Sequence, residues 1–123
     1  MHFWLLTNLR TSPSTELVLS TSEELSFSAK HIVPSEQNYE LTAENTVELF
    51  GEKSFGNPDF CFVRMGSAAS AEGFALVSKI QSLGISCIND PRDLMFLRDK
   101  AQGLIALSAS NVPIPRTLVV GQD

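Results

Sequence analysis

The segment from Arg64 to Ser70 has residues that could bind an anion. It follows a buried apolar strand predicted over residues 59–63 and precedes a helix that Ser70 would cap. A helix start offers free backbone N–H groups and the positive end of the helix dipole. Gly66 lets the backbone approach a ligand, and Arg64 could hold a carboxylate or a phosphate in a bidentate fork. The alternative is an ordinary strand-to-helix turn with a surface arginine.

Three further polar residues, Asn8, Arg10 and Lys100, are candidate ligand-binding residues. Asn8 and Arg10 follow the first predicted strand, residues 3–7, and should lie near the same sheet edge as Arg64, because parallel strands end together. The alternative for both is a plain polar loop. Lys100 follows Asp99 at a predicted helix break, where a lysine is ordinarily solvated.

The sequence lacks the residue patterns of several common kinds of functional site. His2 and His31 have no partners at metal-ligand spacing, so the sequence predicts no metal site. Ser67 and Ser70 have no histidine and acid placed as in a nucleophilic triad. The glycine-rich dinucleotide fingerprint and the Walker loop are absent. The predicted strands do not end in the clustered carboxylates that a phospho-receiver domain uses to hold Mg²⁺.

Length and charge narrow the function classes. The chain has 123 residues, enough for one domain, with 43% hydrophobic and 19% charged residues. Its net charge of -5 argues against a nucleic-acid partner. No apolar run is long enough to span a membrane, and the start lacks the features of a secretory signal. Cys61 and Cys87 lie in apolar stretches, which favours reduced buried thiols over a disulfide or a reactive thiol, and a cytoplasmic location.

The order of predicted elements indicates an α/β fold. The apolar runs and turn signals predict strands at residues 3–7, 30–34, 46–50, 59–63, 85–88 and 117–120. Helices are predicted from residue 15, from residue 71, from residue 91 and from about residue 100 to 110. This order predicts a small, mainly parallel sheet with helices on both faces. Residues 35–57 are otherwise unreadable.

Caps and helical periodicity specify the helices further. Ser14 is predicted to cap the first helix, and Asp90 to cap the third with Pro91 at its first position. The inner face of the first helix is predicted to hold Leu17, Val18, Thr21 and Leu25, that of the second Phe74, Val77, Ile80 and Leu83, and that of the fourth Ala101, Leu104, Ile105 and Ser108.

Five stretches together resemble a known family. They are WLLTN at residues 4–8, RMGS at 64–67, LGISCIN at 83–89, RDK at 98–100 and NVPIPRT at 111–117. In this order they resemble the N-terminal region of ATP-grasp carboxylate–amine ligases. The similarity is greatest to the ribosomal-protein-modifying glutamate ligases and the glutathione-synthetase-like enzymes. The most specific piece is the aspartate–lysine pair followed by the proline-containing segment.

The resemblance implies a reaction and a division of the chain. Residues 1–111 would be the Rossmann-like pre-ATP-grasp domain, and residues 112–123 a linker and the first strand of the ATP-grasp domain. Such ligases use ATP and Mg²⁺ to convert a carboxylate into an acylphosphate, which an amine attacks. Lys100 matches a lysine that faces ATP phosphate. Arg64, Gly66 and Ser67 match the loop that faces the carboxylate or amino-acid substrate, with Asn8 and Arg10 at the same edge.

The ATP-grasp core itself has no counterpart here. We therefore expect this chain alone to bind neither ATP nor Mg²⁺ and to need a C-terminal ATP-grasp domain as its partner. A different hypothesis is a standalone, non-catalytic α/β binding or interaction module, which could be a homo-oligomer. That hypothesis predicts that the strand at residues 117–120 pairs within this domain or with a second copy.

Overall fold

The computed structural model describes residues 1–36, 39–41, 47–49, 56–66 and 70–121. The elements in chain order are β1 (His2–Thr7), α1 (Pro13–Glu24), β2 (Ser28–Ile32), a 3-10 turn (Pro34–Glu36), β3 (Tyr39–Leu41), β4 (Val47–Leu49), β5 (Phe60–Arg64), α2 (Ala71–Ser82), β6 (Ser86–Ile88), α3 (Pro91–Arg98) and α4 (Lys100–Ala109). The predicted α/β class is confirmed.

The main sheet has four parallel strands in the order β2-β1-β5-β6. The chain moves from β1 outward to β2 through α1, and from β5 outward to β6 through α2. These two crossovers run in opposite directions along the sheet, so right-handed connections place α1 and α2 on opposite faces. The order reverses between β1 and β5. In open α/β sheets, ligands bind at the carboxyl ends of the strands at such a reversal.

Both faces of β1 are buried, as in sheets covered by helices on each side. Trp4 and Leu6 belong to the main core cluster and are at most 2% exposed. Phe3 and Leu5 alternate with them and are also buried, with Phe3 stacked on Phe60 of β5 at 5.0 Å between ring centroids. The rest of the main cluster comes from β2, β5, α2 and α3 with Met65: Ile32, Cys61, Val63, Met65, Leu76, Val77, Ile80 and Leu94.

A separate antiparallel pair joins β3 to β4, with Tyr39 opposite Leu49. The strand predicted at residues 46–50 is thus found, with an unpredicted partner before it. The remaining residues of the 35–57 stretch lie largely outside the described part of the chain.

The prediction for the start of α1 is wrong by two residues. Ser12, not Ser14, is the cap, and its hydroxyl oxygen accepts a hydrogen bond of 3.1 Å from Thr15 N. Pro13 occupies the first helical position, where its missing N–H is not needed.

The predicted inner face of α1 is also wrong. Leu17 and Leu25 are exposed, whereas Thr15 and Ser22 are buried. The Ser22 hydroxyl donates to Leu19 O at 2.7 Å, so it can be buried with its donor satisfied. Small side chains therefore face the sheet where the apolar pattern predicted leucines.

The other helix limits agree with the sequence. Ser70 caps α2, Asp90 caps α3 with Pro91 following, and Asp99 separates α3 from α4. Gly84 has φ +78°, the left-handed conformation expected after a helix. None of the helices in the described ranges is long and apolar enough to cross a bilayer.

The strand predicted at residues 117–120 does not form. Residues 112–121 have no regular secondary structure and are exposed. No strand of the described chain is paired with this segment, so its backbone groups have no sheet partner. The proposed domain boundary near residue 111 stays a prediction.

Candidate functional site

A cleft lies at the sheet reversal, where β1 and β5 end side by side. Thr7 and Arg64, the last residues of these strands, are register partners. The cleft has a volume of about 160 Å³ and is lined by Thr7, Asn8, Leu9, Ser12, Ser14, Thr15 and Arg64. It therefore unites the end of β1, the end of β5 and the beginning of α1, and it includes two of the predicted site residues, Asn8 and Arg64.

Arg64 supplies the positive charge of this cleft. Its guanidinium carbon lies 5.9 Å from the centroid of the Phe62 ring, two residues earlier on the same strand face. An arginine against an aromatic face keeps its planar fork available to a carboxylate or phosphate. The side chain is exposed, so a ligand can reach it.

The beginning of α1 brings hydroxyl groups to the same cleft. The Ser12 hydroxyl donates to Thr15 Oγ1 at 2.8 Å and lies 3.3 Å from Ser14 Oγ. These groups stand at the positive end of a 12-residue helix. With Arg64 they form an environment suited to a small anion. Neither serine was predicted as a cleft residue, although a serine followed by a proline shortly after the first strand is a signal for a helix start there.

A hydrogen-bond network fixes the loop after β1. The Thr7 hydroxyl donates to Leu9 O at 2.7 Å and lies 2.7 Å from His31 Nε2. A hydroxyl has one proton to donate, so His31 Nε2–H is the donor in the second bond. His31 is half-buried on β2, and it therefore ties this loop to the sheet. Burial lowers the pKa of His31, the charge of Arg10 lowers it further, and Glu36 opposes the shift.

The lowered pKa of His31 predicts a loss of stability toward acid. The ordinary histidine pKa is about 6.5. As the pH falls through that value, the unfolded chain takes up a proton that the folded chain does not, so the free energy of unfolding decreases until the folded pKa is passed. The denaturant midpoint should therefore fall between neutral and mildly acidic pH. His31→Gln, which keeps a donor near Nε2, should reduce this fall.

Equal pH slopes for the wild-type protein and His31→Gln would contradict this prediction. The Asp90 carboxylate does not interfere, because its hydrogen bonds from Arg92 hold its pKa well below the usual range. Because the ordinary aspartate pKa is about 3.9, Asp90 is ionised in both the folded and the unfolded chain at neutral and mildly acidic pH, and its stabilising contribution is lost only below that window.

The structure places the other predicted substrate residues differently. Arg10 is not among the cleft residues, because its Nε donates to Glu36 Oε2 in an exposed ion pair. The Arg10 guanidinium is thus paired with Glu36, a carboxylate far along the chain, and not with a group of the cleft. Gly66 is exposed with φ +57°, a conformation that suits glycine, and it follows β5 without lining the cleft. Ser67 lies outside the described residues.

Lys100 lies in a different groove. It is exposed at the first position of α4, in a groove of about 270 Å³ lined by Phe96, Asp99, Lys100, Gly103, Leu104 and Leu107. The Asp99 carboxylate accepts from Ala101 N at 2.9 Å and Gln102 N at 3.2 Å. These amide groups are thus already bonded, so an anion here would be held by the lysine ammonium rather than by the helix start.

Helix α4 has an apolar face that is only partly covered by the rest of the chain. No residue of α4 is buried. The face predicted for this helix lines a groove of about 410 Å³ together with the C-terminal segment; the lining residues are Ala101, Leu104, Ile105, Ser108, Ala109, Ile114, Thr117 and Val119. The predicted face is therefore on one side of the helix but does not pack into the core.

Part of the chain is similar to curated ligases. A probable alpha-L-glutamate ligase from Mannheimia succiniciproducens is 34% identical over 68 residues, 54% of this chain and 23% of that protein. Proteins with the same description from Shewanella loihica and Pasteurella multocida are 28% and 29% identical over 63% and 70% of this chain. The chain spans about a quarter of the length of these relatives.

No protein-family model matches the chain. Over the matched segments the chain is similar to proteins described as probable alpha-L-glutamate ligases.

Proposed function

We propose that this chain is the N-terminal, substrate-side domain of an ATP-dependent carboxylate–amine ligase that acts on glutamate or a similar amino acid. The observation that supports the proposal best is the cleft between β1 and β5. Arg64, Asn8 and the serine hydroxyls of α1 surround a volume of about 160 Å³, which suits a carboxylate group rather than a whole nucleotide.

In this proposal Arg64 holds a substrate carboxylate through two parallel N–H···O bonds. Ser12 and Ser14 lie at the positive end of α1 and offer hydroxyl groups to the same anion. Thr7 and His31 keep the loop with Asn8 in place. The domain thus binds and orients, and the phosphoryl chemistry belongs to the part of the relatives beyond the quarter that this chain spans.

The reaction would take place in two displacements. A carboxylate oxygen of the substrate attacks the γ-phosphorus of ATP, and ADP leaves. The amine nitrogen then attacks the acyl carbon, and phosphate leaves. Lys100 would meet a phosphate oxygen from its exposed position on α4. Among the described residues no group of three His, Cys, Asp or Glu side chains could hold a metal ion, so we assign Mg²⁺ to none of these residues.

The test is to intercept the acylphosphate in the full-length gene product that contains this chain. The protein is incubated with ATP, Mg²⁺, L-glutamate and hydroxylamine. We expect ADP and a glutamyl hydroxamate to form together, and neither to form without glutamate. ADP release that is independent of any added amino acid, or glutamate binding without ADP release, would contradict the proposal. The second of these results would support a binding module instead.

A further inference from the structure

The two cysteines of the chain face each other across two neighbouring strands. Cys61 of β5 and Cys87 of β6 are register partners in a parallel pair, and both are free thiols. Register partners on parallel strands point to the same face of the sheet. Neighbouring strands lie roughly 4.8 Å apart, and a disulfide usually spans Cα separations of about 4.4–6.8 Å. A bridge between these cysteines therefore fits the strand pair.

The thiols differ in access to solvent. Cys61 is 0% exposed and belongs to the core cluster. Cys87 is half-buried on the three-residue strand β6, which lies at the edge of the main sheet. A small oxidant can therefore reach the Cys87 sulfur first, because the Cys61 sulfur is buried in the core. An edge strand can also shift slightly as a bridge closes.

The contact between the thiols polarises the pair. The hydrogen bond from Cys61 lowers the pKa of Cys87 against the opposing effects of burial and Asp90. The same bond, together with burial, raises the pKa of Cys61. Of the two thiols, the more accessible one therefore ionises more readily, and a thiolate is the reactive form of cysteine.

We propose that Cys61 and Cys87 form a redox-active dithiol that a hydroperoxide oxidises to a cross-strand disulfide. The Cys87 thiolate attacks the peroxide oxygen, the O–O bond breaks, and the departing alkoxide or hydroxide takes a proton. This step leaves a sulfenic acid on Cys87. The Cys61 sulfur then attacks the Cys87 sulfur, the S–O bond breaks, and the oxygen leaves as water with the Cys61 proton. Two thiols and one peroxide thus give one disulfide, one alcohol or water, and one water.

The bridge would fasten β6 to β5 on the face that α2 covers. Arg64 lies on the opposite strand face, three residues after Cys61, so the bridge leaves the anion cleft open. Asn89, just after β6, already donates to Val63 O at 2.7 Å. Oxidation would reinforce this connection. The proposal does not depend on the ligase function.

The experiment uses the chain as purified, treated with hydrogen peroxide and then denatured and alkylated. We expect both thiols of the wild-type chain to become unavailable to the alkylating reagent. The intact mass should fall by two hydrogen atoms, and a thiol reductant should restore both groups. Cys87→Ser should leave Cys61 reduced under the same exposure. Cys61→Ser should stop at the sulfenic acid, which dimedone would trap on Cys87.

Two results would overturn the proposal. One is a wild-type chain that keeps both thiols alkylatable at the peroxide concentration that oxidises Cys87 in Cys61→Ser. The other is oxidation of Cys87 to sulfinic acid in the wild-type chain without any bridge. If the buried substitution prevents folding of Cys61→Ser, wild-type and Cys87→Ser suffice, because loss of the Cys61 thiol in Cys87→Ser would equally contradict the assigned order.

Discussion

Arg64→Ala in the full-length gene product is expected to raise the KM for the carboxylate substrate by about 10- to 100-fold. A hydrogen bond to a charged group contributes about 1.5–3 kcal/mol, and each ~1.4 kcal/mol corresponds to a tenfold change in affinity. The KM for ATP should change much less, because Lys100, the proposed phosphate contact, lies in a different groove from Arg64. Initial rates at varied glutamate and varied ATP measure the two effects separately.

Two further variants make this result specific. Lys79→Ala removes a positive charge from the last turn of α2. The helix begins at the carboxyl edge of the sheet, so its last turn lies away from the cleft. Both KM values of this variant should therefore stay near wild type. Arg64→Lys keeps the charge but not the planar fork, so its substrate KM should lie between those of wild type and Arg64→Ala. If Lys79→Ala raised the substrate KM as much as Arg64→Ala, Arg64 would act only through its positive charge and not by direct contact with the substrate.

The fold could be predicted where local signals and burial coincide. The continuous apolar run of β1 identifies a buried strand, and the Asp90–Pro91 pair marks the start of α3. At α1 the signals conflict. Two serines flank Pro13, either could cap, and the exposed Leu17 and Leu25 create an apolar pattern that the packed face does not follow. The side chains of α1 that pack against the sheet are small and polar, so the local hydrophobic pattern cannot predict which face of this helix is buried.

The candidate site depends on sheet order, which the sequence does not specify. Strand ends predicted that Asn8 and Arg64 would lie at one edge, and the structure places both in the cleft. The reversal between β1 and β5, which creates the cleft, arises from long-range pairing. Arg10 follows the same strand as Asn8 but does not line the cleft, because its partner Glu36, far along the chain, approaches it in the folded protein.

Leu76→Ala is expected to lower the free energy of unfolding by about 2–5 kcal/mol. Leu76 is 0% exposed and belongs to the core cluster. One turn earlier, the Cβ position of Gly73 would lie 2.7 Å from Met65 Sδ, so α2 already rests tightly on the core. That contact hinders the helix from moving inward to fill the cavity, which favours the upper part of the range. Denaturant unfolding followed by helix circular dichroism and by fluorescence of the single, buried Trp4 measures the loss.

Leu17→Ala is the matched control for this loss. It makes the same substitution in another 12-residue helix, so the change in helix propensity is the same and only burial differs. Leu17 is 65% exposed, and its replacement should change stability by no more than about 0.5 kcal/mol. A loss as large as that of Leu76→Ala would mean that the outer face of α1 is packed in the folded protein. The assignment of Thr15 and Ser22 to its inner face would then be wrong, and so would the direction in which α1 presents Ser12 and Ser14 to the cleft.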